Sequence, residues 1–142
     1  MVPTLAFAAP APAPVLAPPA TSSFWIHRSP ETPTYYQLSL EDDQGSFAHW
    51  VIPLPLKQLA KRPVVLWRLP SVPVPSALPC VESGRLRLAP ARPGTPASLR
   101  TELAQGVLRL NFHGQLLRGY FRLHCLPQGG GQLWQLTPIG HV

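Results

Sequence analysis

Residues 35–41 alternate between polar and apolar side chains, which is the period of a β-strand with one buried face. The apolar positions are Tyr36, Leu38 and Leu40, and the polar positions are Tyr35, Gln37, Ser39 and Glu41. Residues 42–45 are rich in turn formers, and the aromatic and β-branched residues of 47–52 are typical of a returning strand. Pro53 cannot donate a ladder hydrogen bond, so the pairing should end there. The pattern therefore predicts a β-hairpin.

Similar signals recur through the rest of the chain and predict further short strands. Residues 64–69 are apolar enough for a buried strand, and residues 84–89 alternate cleanly. Alternation returns from Gly106, and the glycines at 129–131 predict a hairpin tip before the last strand. Residues 99–105 are expected to form a short helical turn. Seven or eight short antiparallel strands predict an all-β single domain, either a compact barrel or a sandwich.

Residues 1–23 differ from the rest of the chain in composition. They are rich in alanine and proline and carry no charge, so we expect a disordered or polyproline-like tail before a domain at 24–142. A secretory leader would have basic residues before an uninterrupted apolar core, whereas prolines break this segment. No proline-free apolar run of about eighteen residues occurs, which argues against a membrane partner. We therefore expect a cytoplasmic location.

Positive charge is concentrated in the second half of the chain. The protein has 12 Lys and Arg against 6 Asp and Glu, a net charge of +6. After Pro55 there are eleven basic residues, and Glu82 and Glu102 are the acidic ones. Such an imbalance is typical both of proteins that face phosphates and of soluble basic proteins with no such partner.

The predicted strand around residue 120 carries the best binding candidates of this half. Tyr120, Arg122 and His124 alternate on the face opposite the core. Arg122 and His124 of this row, together with Arg109 and Arg118, are the candidate nucleic-acid-binding residues. The alternative is an ordinary solvated strand face.

The hairpin resembles the N-terminal segment of the 3'-phosphoesterase domain of bacterial DNA ligase D. Matching residues are Phe24, Tyr36, Leu38, Leu40, Glu41, Trp50, Val51 and Pro53. Residues 106–114, 117–123 and 133–136 are similar to glycine- and tryptophan-containing strands of that family, so the resemblance covers roughly residues 24–138. It implies a barrel fold, Mn²⁺-dependent processing of DNA 3' ends, and a role in end repair such as non-homologous end joining beside a repair ligase or an end-binding protein.

The departures from the family concern its metal and phosphate ligands. In the family, two histidines and an aspartate hold the metal and an arginine contacts phosphate. This chain has at those positions Ser29, Tyr35, Gln37 and Ser39. Hydroxyls and an amide are poor substitutes for imidazole, carboxylate and guanidinium groups. A downstream family histidine is also missing, since no histidine occurs between His49 and His113. The resemblance thus implies a degenerate phosphoesterase that needs no cofactor and retains contact with DNA ends.

Two other functions compete with this interpretation. In the first, the chain is an active Mn²⁺-dependent 3'-end-processing enzyme whose relocated ligands are His27, His49 and Glu41. His49 would then approach Glu41 across the twisted hairpin. The alternative for His27 is that it is an ordinary surface histidine. In the second, the chain is a protein-interaction module that has no contact with nucleic acid.

The cysteines and tryptophans offer weaker candidates. Cys80 and Cys125 lie outside any C-x-x-C motif and are expected to be either paired or free, not catalytic. The four tryptophans are predicted to pack in the core or at its rim: Trp25, Trp50, Trp67 and Trp134. A tryptophan exposed beside a basic face would instead be able to stack on a single-stranded end.

Overall fold

Eight antiparallel strands close into a barrel in the computed structural model, which describes residues 22–29, 35–53, 55–71, 78–90, 94 and 97–139. The strands are β1 (Ser22–Arg28), β2 (Tyr36–Glu41), β3 (Phe47–Ile52), β4 (Val64–Leu69), β5 (Cys80–Ala89), β6 (Val107–His113), β7 (Arg118–Cys125) and β8 (Leu133–Pro138). Their order around the barrel is β1-β2-β3-β4-β8-β7-β6-β5, and β5 pairs with β1. The predicted all-β fold is confirmed in its barrel form.

Helical structure is short, as predicted. Helix α1 (Leu99–Gln105) begins after Ser98, whose hydroxyl accepts a hydrogen bond from the Thr101 N–H group. It ends at Gly106 in the left-handed conformation, with φ of 83°. Two 3-10 helices cover Leu56–Ala60 and Pro127–Gly129. None of the described helices has the length and apolar character needed to cross a membrane.

The barrel interior is filled by the apolar side chains that strand alternation points inward. Trp50 and Trp134 meet edge to face, with ring centroids 5.7 Å apart. Phe112 makes the same kind of contact with Phe24 at 5.0 Å and with Phe121 at 5.4 Å. All five rings are buried. Because an eight-stranded barrel is just wide enough to be filled by side chains, surface chemistry belongs to the outward positions.

Asp42 joins the predicted hairpin to α1. Its side-chain oxygens accept hydrogen bonds from the backbone N–H groups of Gln44 at 3.0 Å, Ser46 at 2.9 Å and Leu99 at 3.2 Å. The hydrogen bonds from Gln44 and Ser46 close the turn, as is usual for an aspartate at the first position of a turn. The third anchors the first residue of the helix from 57 positions away. The turn signal at 42–45 therefore also fixes a tertiary contact.

Three boundaries differ from the sequence-based expectations. β1 begins at Ser22, because Ser23 already pairs with β2 and β5, while residues 1–21 of the expected tail lie outside the described residues. β5 begins at Cys80, four residues before the expected strand. β4 was predicted to be buried, yet Trp67 is 48% exposed, because a barrel strand buries one face only. Cys80 and Cys125 are both free thiols.

Candidate functional site

The first three strands bring together positions that the resemblance described above aligns with the metal and phosphate ligands of the ligase D family. We call hairpin face the group formed by His27, Ser29, Gln37, Ser39 and His49. His27 lies opposite Gln37 and Ser39 lies opposite His49. The Ser29 N–H group donates to the Tyr35 carbonyl at 2.9 Å, which brings those two positions together just beyond the strand ends. The hairpin predicted from alternation thus assembles one polar cluster.

Hydrogen bonds link three side chains of the hairpin face in series. The Gln37 amide Nε2 donates to Ser39 Oγ at 3.3 Å, and Ser39 Oγ lies 2.8 Å from His49 Nδ1. The Ser39 hydroxyl accepts from the amide, and the direction of its bond with Nδ1 depends on the tautomer of the imidazole. The Phe47 ring stacks on the other side of this network, parallel to His49 within 13° at 6.5 Å. These groups bind one another.

Four of the five side chains of the hairpin face are closed to solvent although they lie outside the barrel, and Gln37 is half-buried. His27, Ser29, Ser39 and His49 are 3%, 4%, 0% and 1% exposed. The expectation of a surface His27 was therefore wrong, because its outward position is covered. Burial lowers the pKa of His27, and the neighbouring His49 lowers that pKa further. Its Nδ1 atom is buried and has no hydrogen-bond partner among the residues that the structure describes.

The donors on this face do not fit a Mn²⁺-type centre. The amide and hydroxyl that stand at family ligand positions are hydrogen-bonded to each other. Within the described ranges, no three His, Cys, Asp or Glu side chains come together to hold a metal ion. The register places Ser39 opposite His49 and Phe47 opposite Glu41, so that His49 and Glu41 are diagonal neighbours on the same face of the hairpin. A Mn²⁺ site needs imidazole and carboxylate ligands in one cluster.

The outer surface of β5–β7, which adjoins the hairpin strands where β5 pairs with β1, carries a dense group of exposed cations. We call arginine face the surface formed by the five exposed arginines at outward positions of β5–β7: Arg85, Arg87, Arg109, Arg118 and Arg122. Arg109 lies directly opposite Arg122 across β6 and β7. Like charges at such a position have Cβ atoms about 5 Å apart and repel each other. The arrangement therefore favours an anion that lies over both guanidinium groups.

A surface pocket of about 450 Å³ lies at this pair. Arg109, Arg122 and His124 line it, together with Gly106 and Cys125. The Nδ1 atom of His124 is buried and finds no hydrogen-bond partner within the described part of the chain. Three of the four predicted nucleic-acid-binding residues thus share one pocket. The fourth, Arg118, lies at the other end of β7, opposite His113.

The acidic residues of this half do not neutralise the arginine face. Among the described residues of β5–β7, no outward position holds a carboxylate. Glu82 falls at an inward position in the alternation of β5. Its carboxylate accepts hydrogen bonds at 2.8–3.1 Å from three successive backbone N–H groups, those of Gln115, Leu116 and Leu117. Glu102 is buried in α1 at 3% exposure. The excess of positive charge in the sequence is therefore concentrated on the arginine face.

Arg85 and Arg87 are binding candidates that the sequence reasoning missed. Their signal was present, because residues 84–89 alternate and the two arginines fall on the polar parity. What the sequence did not reveal was the neighbour of that strand. Pairing of Arg87 with Asn111 on β6 places both arginines on the same surface as Arg109.

Another cationic pocket, of about 480 Å³, lies between the hairpin turn and α1. Arg68 and Arg100 line it. Arg68 already donates to Ser71 Oγ at 3.2 Å and lies over the Trp134 ring at 5.8 Å. One of its two cations is therefore occupied by contacts within the protein.

In comparisons with known proteins, no protein-family model matches the chain and no curated protein matches it. The resemblance to the ligase D phosphoesterase domain therefore rests on the residues that carry it. Function has to be inferred from the chemistry of the two faces of the barrel.

Proposed function

We propose that this protein is a DNA-binding accessory domain for end repair, with the frame of a ligase D 3'-phosphoesterase and without its catalytic centre. The observation that carries the proposal is the arginine face, which presents five exposed guanidinium groups on three neighbouring strands. Guanidinium groups bind phosphate oxygens through paired, charge-assisted hydrogen bonds. The partners that fit are DNA ends, together with a repair ligase or an end-binding protein in the cytoplasm.

The neutral hairpin face supports the loss of catalysis in this proposal. A phosphoryl group that is being hydrolysed needs positive charge where negative charge develops. Ser39 stands where the family has its phosphate-contacting arginine, and its hydroxyl is held by Gln37 and His49. Such a network orients side chains but supplies no fixed charge. Binding and catalysis are then separated, with binding on β5–β7 and the family's catalytic positions on β1–β3.

A salt titration of DNA binding tests the proposal. Fluorescence anisotropy of a labelled DNA carrying a 3'-phosphate would be measured between about 50 and 200 mM salt. Each neutralised phosphate contributes about 0.7–0.9 to the slope of log affinity against log salt. We expect a slope of several contacts, reduced by about 1.5 in Arg109→Gln/Arg122→Gln.

A matched control removes the same charge elsewhere. Lys57→Gln/Lys61→Gln takes two exposed cations from the 3-10 helix Leu56–Ala60 and its C-terminal cap. This variant should keep the parent slope. An equal reduction in both variants would mean that net charge, and not the arginine face, determines binding.

The same titration, combined with an assay of 3'-phosphate release in the presence of Mn²⁺, separates the proposed function from the two competing ones. Mn²⁺-dependent release of the 3'-phosphate, lost in Glu41→Ala or His49→Ala, would identify an active enzyme with relocated ligands. Absence of salt-sensitive DNA binding would leave the protein-interaction module as the remaining candidate. Binding without turnover is the expected result.

A further inference from the structure

Tyr120 is an exposed aromatic residue in the middle of the arginine face. Its side chain is 57% exposed, and it lies on β7 between Arg118 and Arg122. Beside it lies Ile139, 44% exposed, whose N–H group donates to the Tyr120 carbonyl at 2.9 Å. Tyrosine usually buries much of its ring area, because that area is apolar. Phosphate contacts alone give no reason for an open ring at this position.

Cations surround this ring on the strand framework. Arg118 and Arg122 each lie two residues away, roughly 7 Å along β7. On the neighbouring strand Asn111 is the direct partner of Tyr120, and Arg87 is in turn the partner of Asn111. Arg87 is therefore two strand spacings, about 10 Å, from Tyr120. A flat apolar surface is set among groups that bind phosphate.

This combination suits unpaired nucleotides better than a duplex. Proteins that bind single strands combine a cationic track for the backbone with aromatic rings on which bases stack. In a duplex, the base faces are already stacked on each other, and base edges are reached by a helix or ribbon that enters a groove. Tyr120 lies in the wall of a regular barrel, between its neighbours in β7.

We infer that the arginine face binds single-stranded nucleic acid, with a base stacked on Tyr120 and the flanking phosphates held by the surrounding arginines. The inference rests on the proposed DNA-binding function and specifies its substrate. An anionic membrane surface would also meet cations and exposed apolar groups. The exposed large apolar residues of these strands and their ends, Val81, Leu116, Tyr120 and Ile139, come from four separate segments, whereas a membrane-binding helix inserts one continuous apolar face, so the nucleic acid is favoured.

The experiment compares a labelled oligo-dT 12-mer with a 12-base-pair duplex, using the full chain at the same series of salt concentrations between about 50 and 200 mM. Tyr120→Ala should weaken binding of the single strand by roughly tenfold and leave the salt slope unchanged, since stacking involves no phosphate. Tyr120→Phe, which keeps the ring, should bind as the parent does. Trp67→Ala removes a similarly exposed aromatic residue from β4, outside the arginine face, and should have no effect.

Other results would overturn the inference in distinguishable ways. Equal binding of both DNAs with no effect of Tyr120→Ala would remove the single-strand inference and leave the proposed function standing. No binding of either DNA at low salt would remove both. Equal losses in Tyr120→Ala and Trp67→Ala, or binding only to phosphatidylserine vesicles, would also contradict a base stacked on Tyr120.

Discussion

The two polar faces of this barrel have the same strand geometry and opposite relations to solvent. On the hairpin face, Ser39 and His49 are cross-strand partners and are 0% and 1% exposed. On the arginine face, Arg109 and Arg122 are cross-strand partners and both are exposed. Side-chain alternation places all four residues outside the barrel. What differs is whether the paired side chains can satisfy each other.

Complementary partners close one face, and identical charges keep the other open. A hydroxyl and an imidazole each supply what the other needs, so the pair can leave water with little penalty. Two guanidinium groups are both donors and both cationic, so they remain hydrated until an acceptor arrives. A buried outward network thus stabilises the fold, and an unpaired outward row is available for a ligand.

His49→Ala should cause the largest loss of stability and would show that the hairpin face is structural. The change removes a buried ring and breaks one of the two hydrogen bonds of the Ser39 hydroxyl, which keeps Gln37 as its other partner. We expect the free energy of unfolding to fall by about 3 kcal/mol, as for other truncations of buried rings that also break a hydrogen bond. Urea denaturation measures this. A loss below about 0.5 kcal/mol, the usual surface value, would contradict the account.

Arg109→Gln/Arg122→Gln should leave stability nearly unchanged and weaken DNA binding. Stability should change by no more than about 0.5 kcal/mol, since both side chains are exposed. DNA affinity should fall by about tenfold to a hundredfold, because two phosphate contacts are lost. Denaturation and anisotropy on the same samples check the pair of results. A large loss of stability with unchanged affinity would reverse the roles of the two faces.

Glu82→Gln probes how the carboxylate is kept from the arginine face. Its oxygens accept from the N–H groups of Leu116 and Leu117, and a neutral amide offers one acceptor oxygen in place of two charged ones. We expect unfolding to become easier by about 1–2 kcal/mol. DNA affinity should stay within about twofold of the parent, because the charge was already bound to the loop. A large gain in affinity would show that Glu82 screens the arginines.

The smallest expected effect is a pH dependence of stability that originates in His27. Its pKa in the folded chain is lowered below the ordinary 6.5 by burial and by His49. Below about pH 6.5 the unfolded chain therefore binds more protons than the folded one, and stability falls as the pH falls. His27→Gln should flatten this decline in urea midpoints measured from pH 7.5 to 5. His113→Gln, which removes an exposed histidine of β6, is the control. A decline that persists unchanged in His27→Gln would assign it to other groups.

Alternation along single strands was enough to predict much of the barrel and part of the candidate surface. The hairpin, α1 and the outward row of Tyr120, Arg122 and His124 follow from local periods of two and 3.6 residues. Strand neighbours are not local information. Arg87 joins that surface because β5 pairs with β6, and the sequence of β5 alone does not reveal this pairing. Likewise, nothing in the sequence of β1 indicates that the outward side chain of His27 is buried.

The most direct test of a separate binding face is an amide NMR titration of the full chain with the oligo-dT 12-mer. Shift changes should concentrate on β6 and β7, around residues 109, 120 and 122, and saturate with the affinity measured by anisotropy. Changes concentrated at residues 27–29, 37–39 and 49 would place the ligand on the hairpin face and contradict the account.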